Sequence, residues 1–265
     1  MPSPELLARI AAAKLGVLAQ TERLHAELGR VASHWKSDGT RVTPVDIAIS
    51  ENIFRLLGAE FPEDNYFSEE LAETDQPRPV TARFAWVLDP IDGTNNYAAG
   101  IPYCAIGLGL LEHGMPVYGF VYDLARRRLI HGGPGIGLWD GDEPAQMRTA
   151  PLHRHSLIGF HTPFDKVYAQ HAVLIAENHK IRGLGSSTLH LAYVAAGILE
   201  GVVDHNVRVW DIAGAVPLVE AAGGEVQFLN GAVFPLKEFD LKMRRIFYVA
   251  GSPGVCRQLR TLLGV

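Results

Sequence analysis

Two aspartates three residues apart, Asp89 and Asp92, lie where an aliphatic run gives way to turn-forming residues, in Trp86-Val-Leu-Asp-Pro-Ile-Asp-Gly-Thr-Asn95. Proline fixes φ and has no N–H, so a strand ending at Asp89 cannot run on regularly through Pro90. The turn expected there brings Asp89, the Ile91 carbonyl and Asp92 towards one point. Oxygen donors of this kind suit a hard divalent ion such as Mg²⁺, which keeps several of its waters. A helix beginning after Asp92 would aim the N–H groups of Gly93 and Thr94 outward at its positive end, a seat for phosphate. Gly93 also lets a ligand come close to the backbone. The plainer alternative is that both aspartates cap a turn.

Two further acidic places bear on that choice. Glu69 and Glu70 end the short apolar run Tyr66-Phe-Ser68. Adjacent carboxylates repel, which suits a surface loop unless a cation neutralises one of them. Asp211, in Trp210-Asp-Ile-Ala-Gly-Ala215, opens a nearly all-apolar helix. It reads as an N-cap or, because so apolar a helix is expected to be buried, as a carboxylate that needs a partner or a metal. His153 and His155 would share a face on a strand, as zinc ligands do, but no third ligand lies near them in sequence and a solvated loop is the better reading. There is no Gly-x-Ser-x-Gly elbow, and neither Cys104 nor Cys256 sits in a metal, redox or phosphate-loop spacing. Water, not a side chain, is therefore the expected nucleophile.

These residues need a scaffold, and the periodicity supplies one. Leu6, Ile10, Ala13, Val17, Leu24, Leu28 and Val31 recur at helical spacing and predict an amphipathic helix over 4–32. After a polar turn at Lys36–Arg41, Thr43 and Pro44 predict the N-cap and first residue of a helix reaching about Leu57. Short β-type runs follow at Phe84–Leu88, Cys104–Leu111, Val117–Tyr122 and Leu129–His131, with a hairpin connection at Gly114-Met-Pro116. The glycine-rich 132–141 imitates part of a dinucleotide fingerprint, but it leads from one apparent strand into another and not into a helix. Beyond it come a strand at Ser156–Phe160, a helix at Phe164–Glu177, a helix at Ser187–Leu199 after Gly183-Leu-Gly-Ser186, and a strand at Gly201–His205. A helix from Asp211 to Ala222 ended by Gly223-Gly224, strands at Gly224–Leu229 and Ile246–Gly251, and a helix at Gly254–Leu263 complete the pattern. A mixed α/β body of alternating helix and sheet layers follows, with a soft seam near 145–155.

Composition removes other classes. A net charge of −5 over 265 residues gives no electrostatic reason to bind nucleic acid. The clusters Arg126–Arg128 and Lys242–Arg245 are too short for a basic patch and read as solvated turns or strand ends. Glu5, Arg9 and Lys14 interrupt what would be the apolar core of a signal peptide, and no apolar run approaches a membrane span. Two cysteines in apolar stretches suit buried free thiols in a reducing compartment, so a cytoplasmic protein is expected.

Taken together, Glu69-Glu70, Asp89-Pro-Ile-Asp-Gly-Thr-Asn-Asn-Tyr97 and Trp210-Asp-Ile-Ala-Gly-Ala with Glu220-Ala-Ala-Gly-Gly224 resemble the inositol monophosphatase family, within the lithium-sensitive sugar-phosphatase superfamily. The likeness runs from Lys36 to roughly Gly251, and its motifs occur in order and at the expected separation. It implies one domain over residues 1–265, a layered α-β-α-β-α sandwich with lobes of about 1–150 and 151–265. It implies hydrolysis of a small phosphate monoester with two Mg²⁺ per site, three at most, and Mn²⁺ as a substitute. Glu69, Asp89 and the Ile91 carbonyl resemble the ligands of a first ion. Asp89 would bridge to a second, held also by Asp92 and Asp211. Glu69 and Thr94, with Asp46 behind them, resemble the groups that position the attacking water. Gly93 and Thr94 would hold the phosphate, while Asp92, Gly185, Ser186 and Ser187 would touch substrate. The family's glycine before Glu-Glu is Ser68 here, and its glutamate seven residues before the Trp-Asp aspartate is Asp204. The shorter Asp204, with Arg208 nearby, is expected to lie beside the phosphate and set substrate choice. Inositol monophosphate is the first substrate expected, with histidinol phosphate, fructose 1,6-bisphosphate and 3′-phosphoadenosine nucleotides as alternatives. A homodimer is implied, and a regulatory protein binding the transcription apparatus is the alternative of another class.

Overall fold

The computed structural model describes residues 2–36, 39–71 and 76–265. Ser37 and Asp38, in the middle of the polar turn read at 36–41, lie outside the described residues.

Helices and sheets alternate in five layers. The first holds helices Pro4–Leu18, Thr21–Glu27 and Pro44–Glu60, which bury Val17, Leu24, Ile49 and Ile53 against one face of a seven-stranded sheet. That sheet runs, edge to edge, through strands Glu143–Pro144, Gly137–Asp140, Arg128–Gly133, Met115–Asp123, Ala105–Glu112, Phe84–Asp92 and Asn65–Ser68, and only the last pair is parallel. Helices Ser187–Ala195, Val209–Ala213 and Val216–Ala221 fill the middle, touching the large sheet on one side and a five-stranded sheet on the other. The small sheet orders strands Lys180–Arg182, Leu157–Phe160, Gly201–Val207, Ile246–Gly251 and Glu225–Phe228. Helices Ala169–Asn178 and Pro253–Leu263 cover its outer face. The expected α-β-α-β-α sandwich is the observed one.

Several elements divide where a continuous one was expected. The 4–32 helix breaks after Leu18, because the Gln20 amide donates to the Gly16 carbonyl (3.2 Å) and the Thr21 hydroxyl to that of Leu18 (2.9 Å), satisfying the last turn locally. The 211–222 helix is two, Val209–Ala213 and Val216–Ala221, because Pro217 lacks an N–H and its ring excludes the preceding helical turn. Between them the Gly214 carbonyl lies against the large sheet, and a Cβ on Gly119 would stand 1.9 Å from it. Bare backbone at Gly109 and Gly119 is what lets this helix pair dock so closely. Phe164–Glu177 is a 3₁₀ turn at Lys166–Tyr168 followed by Ala169–Asn178, and the Ser187 helix stops at Ala195, two residues before left-handed Gly197.

Other readings hold. Thr43 caps the Pro44–Glu60 helix, with Pro44 as its first residue. The Met115 hairpin turns on His113 and Gly114, both at positive φ, the backbone a two-residue turn between twisted strands requires. The 132–141 stretch is a strand-to-strand hairpin. Both cysteines are buried and free. Arg126 and Arg128 are not merely solvated: both bond Asp140, pinning this hairpin. Among the described residues no helix is long and apolar enough to cross a membrane.

Candidate metal centre and active site

The strand Phe84–Asp92 does not stop at Asp89. It passes Pro90 with a register shift, Asp89 pairing with Gly107 and Asp92 with Ala105, so three steps on one strand match two on its neighbour. In a regular strand, residues three apart point to opposite faces. The bulge adds one residue and turns Asp89 and Asp92 to the same side, which corrects the expected turn while reaching its result. Proline suits the bulge because no ladder N–H is needed there.

Asp211 arrives from the middle layer. It is the third residue of the Val209–Ala213 helix, not its cap, and its carboxylate accepts the Arg208 N–H (2.6 Å). Thr188 joins the two sources: its N–H donates to Asp92 Oδ2 (2.6 Å) and its hydroxyl to the Asp211 carbonyl (2.8 Å). One carboxylate oxygen from each of Asp89, Asp92 and Asp211 lies within 4.8 Å of the others, a grouping able to hold a metal ion.

These three line a cleft of about 460 Å³ together with Glu69, Ile91, Gly93, Thr94, Gly185 and Ser187. Glu69 follows the edge strand Asn65–Ser68, its N–H donating to the Leu88 carbonyl (3.3 Å). Ser68, in place of glycine, uses its hydroxyl to receive the Glu70 N–H (3.2 Å) and to bond Ser50 (2.9 Å). The Thr94 hydroxyl donates to the Ile91 carbonyl (2.9 Å) and lies 3.4 Å from Asp46 Oδ1. Asp46 stands behind, bound to the Thr43 N–H (2.8 Å), and does not line the cleft. Gly93 is left-handed (φ +92°) and packed so that a Cβ would meet the Tyr103 and Gly185 carbonyls at 3.0 and 3.1 Å. The Asn96 amide staples this corner by donating to the carbonyls of Tyr103 and Leu184, each at 2.7 Å. Ser186 is fully buried, caps the Ser187 helix and donates to Asp92 Oδ2 (2.7 Å).

The electrostatics show what the acidic end lacks. Burial pushes the Asp89 carboxyl far above its ordinary range, and Glu69, Asp92 and Asp211 push it further. Burial does the same to Asp211, with Asp92 and Glu69 adding to it. Asp92 is raised by burial against the pull of its Ser186 and Thr188 donors. Burial raises Asp46 to about 6, and burial, then Glu69, raise Glu70 to about 7. Carboxyls this close and this dry cannot all ionise without added positive charge. Lys36 supplies some: its ammonium donates to Glu69 (2.9 Å) and Glu70 (2.8 Å), and although burial pulls its pKa down, the two glutamates lift it higher still. The remaining donors are all oxygen, and they fit a hard divalent cation.

The opposite end of the cleft differs from expectation. Asp204 is fully buried and Arg208 sends its guanidinium to the Leu241 carbonyl (2.7 Å), so neither lines the cleft. Arg208 lies past the end of strand Gly201–Val207, at the N-cap of the Val209–Ala213 helix. In their place stand His161, Asn206 and Arg245, the last donating to the Asn206 carbonyl (3.4 Å). Arg245, expected as a solvated strand end, lines the cleft, and His161 and Lys36 carry no expectation from the sequence. Nothing in spacing marks them, since each is placed by a loop end. His153 and His155 lie exposed in a turn, the His155 N–H donating to His153 Nδ1.

The family model for the inositol monophosphatase family matches residues 4–261. The chain is 35% identical over 225 residues to the inositol-1-monophosphatase ImpA of Mycolicibacterium smegmatis, covering 80% of this chain and 76% of that one. It is 33% identical over 201 residues to a fructose-1,6-bisphosphatase/inositol-1-monophosphatase of Thermococcus kodakarensis, covering 75% and 73%. Among solved structures, an IMPase of Thermotoga maritima superposes with a TM-score of 0.83 at 23% identity, covering 97% of each chain.

Proposed function

The chain belongs to the inositol monophosphatase family, a family of metal-dependent phosphoric monoester hydrolases, and from that premise we propose that it hydrolyses the monophosphate of a small polyol, inositol monophosphate first, by attack of water. The observation that carries this reading is the convergence of Asp89, Asp92 and Asp211 beside left-handed Gly93.

In this reading Glu69, Asp89 and the Ile91 carbonyl would hold one Mg²⁺, and Asp89, Asp92 and Asp211 would hold a second. Bound there, Mg²⁺ supplies charge to the transferring phosphoryl group and acidity to a bound water, the chief requirements of a reaction so slow unaided. The protein does the rest. Glu69 and the Thr94 oxygen accept hydrogen bonds from the attacking water and fix its line of approach. Asp46, raised to about 6 by burial and 3.4 Å from the Thr94 hydroxyl, takes up the proton by relay: Thr94 turns from the Ile91 carbonyl, gives its own proton to Asp46 and receives one from the water. The Gly93 and Thr94 amides steady the phosphate, Asp92 and Gly185 border the ester oxygen, and Ser186 keeps Asp92 in place. The Mg²⁺ identity, a homodimer and a cytoplasmic setting belong to the same proposal.

A second substrate class has its own support. Arg245 lines the cleft, and a relative is named for both bisphosphatase and monophosphatase activity, so a substrate with a second anionic group is the alternative.

A panel of phosphate monoesters assayed with Mg²⁺, Mn²⁺ and after exhaustive chelation tests the proposal. Activity on polyol monophosphates that vanishes with EDTA and returns with Mg²⁺ is expected. Full turnover after chelation would end the two-ion reading, and inertness towards the whole panel would end the substrate assignment.

A further inference from the structure

Asp204 is the most deeply buried acid near the cleft that the chemistry above does not use. It accepts hydrogen bonds at both oxygens: Oδ1 from the Asn206 N–H (3.0 Å) and Oδ2 from the Ser187 hydroxyl (2.8 Å). Ser187 Oγ in turn lies 3.1 Å from His161 Nδ1, and His161 Nδ1 lies 4.0 Å from Asp204, too far for a direct bond. The three residues form a line that starts in the interior and ends at the cleft wall.

We propose that His161 reads a hydroxyl on the alcohol portion of the substrate through Nε2, and that Asp204, acting through Ser187, fixes which nitrogen of the ring carries the proton. The inference rests on the phosphatase reading above and deepens it. A serine hydroxyl has one proton, and a carboxylate can only accept. With that proton given to Asp204, the Ser187 oxygen can only accept from His161, so Nδ1 carries the ring's proton. A neutral imidazole holds one proton, which leaves Nε2 as a bare lone pair. Nε2 has no partner among the described residues, and His161 borders the cleft beside Asp211 and Arg245. The wall there offers an acceptor, which selects a donor such as a sugar or polyol hydroxyl. It gives nothing to an ether, a fluorine or a bare aryl group. Asp204 is thus a positioning residue, and its substitution should act on recognition without its touching substrate.

The same side chains suggest a rival, since one ligand atom each of His161, His190 and Asp204 lies within 4.8 Å of the others, as around a metal. His190 argues against it. Its Nε2 accepts the Leu184 N–H (3.1 Å), so its other nitrogen holds the proton and the ring has no lone pair to give. Two ligands remain, too few for a closed zinc site.

The test reads the ring directly. Long-range ¹H–¹⁵N correlation on the full-length protein without substrate should show His161 protonated at Nδ1. In Asp204→Asn the amide nitrogen turns to Ser187, because the Asn206 N–H still needs the oxygen. Ser187 then gives its own proton to His161, and the tautomer inverts to Nε2–H. Recognition should follow. The wild type should prefer inositol monophosphate over one of its monodeoxyfluoro analogues by about tenfold in kcat/KM, the worth of about one good hydrogen bond, and Asp204→Asn should lose most of that preference because Nε2–H can donate to fluorine. Ser187→Ala cuts the relay while leaving Asp204 its Asn206 N–H donor, and should also relax the preference, which keeps the idea testable if Asp204→Asn folds poorly. His161 protonated at Nε2 in the wild type, or an unchanged fluoro preference in both variants, overturns the proposal. Because the tautomer is read without substrate, failure of the whole phosphatase reading would appear separately, as inertness towards every ester.

Discussion

At one end of the cleft Glu69, Asp89, Asp92 and Asp211 are held by a strand bulge, an edge strand and a helix docked on bare glycine backbone. At the other, His161 and Arg245 stand at loop ends of the small sheet, one just after strand Leu157–Phe160 and one just before Ile246–Gly251. The acidic end stores electrostatic strain: burial and mutual repulsion raise its carboxyls, and a bound cation would relieve it. The opposite end carries exposed or half-exposed groups that cost little to change. On the proposed reading, chemistry is tied to the core, while substrate choice would sit where loops can vary without repacking.

The largest effect should come from Asp89→Asn. Turnover should fall at least ~10³-fold with the fold intact, since the proposed bridging charge is gone. The contrast also makes a less obvious demand: metal-free Asp89→Asn should melt above the metal-free wild type, because a buried repulsion has been removed. Wild-type turnover in this variant would place the chemistry elsewhere.

Gly119→Ala probes the docking that delivers Asp211. The added methyl meets the Gly214 carbonyl at 1.9 Å, so the helix pair must move. A loss of about 1–3 kcal/mol is expected from overpacking, with a higher Mg²⁺ requirement for activity. Unaltered Mg²⁺ activation would mean that Asp211 does not depend on this contact.

Arg245→Ala works at the other end. kcat/KM for a substrate with a second anionic group should drop about tenfold, the loss of one charge-assisted hydrogen bond, while singly phosphorylated polyols change little. An equal drop on every substrate would erase the distinction between the two ends.

The smallest effect is on pH dependence. Glu70 at about 7 and Asp46 at about 6 hold protons more tightly when folded than the ordinary carboxyl does when unfolded, at 4.5 and 3.8. The folded state therefore binds more protons across this window, and the stability these groups contribute is full below the unfolded values and lost as pH rises through the folded ones. Buried His131, His190 and His205, lowered to about 4, 3 and 3 by burial, pull the other way, so the test is a difference: from pH 5.5 to 7.5 metal-free wild type should lose stability relative to metal-free Glu70→Gln, by about 2–4 °C for each kcal/mol of linkage, and saturating Mg²⁺ should shrink that difference. The same pH slope in Glu70→Gln as in the wild type would contradict the assignment.

The same division separates what the sequence made legible from what it did not. Asp89 and Asp92 announce themselves because proline and glycine around them act within a few residues, and Thr43-Pro44 marks a helix start by equally local chemistry. Even there, the register shift was not legible, because a bulge depends on the partner strand. The break at Gln20 turned on side-chain hydrogen bonds that hydrophobic periodicity does not register. Asp204 was legible as a candidate beside the phosphate but not as buried, since its strand faces helices on both sides of the small sheet. His161 and Arg245 had no local signal: a histidine after a strand and an arginine before one become neighbours only when strands 157–160 and 246–251 are in place.

The distance along the chain between Asp92 and Asp211, about 120 residues, has a consequence for biosynthesis. When the bulged strand leaves the ribosome, Ser186, Thr188 and Asp211 have not been made, and at the ordinary pace of translation they follow roughly 10 s later. Until then the two aspartates have no donors from the middle layer, and the large sheet lacks the helices that cover its second face. A nascent or truncated chain is thus chemically silent however well its first sheet forms, and the appearance of phosphatase activity reports that the last third of the polypeptide has been synthesised and has closed over the first.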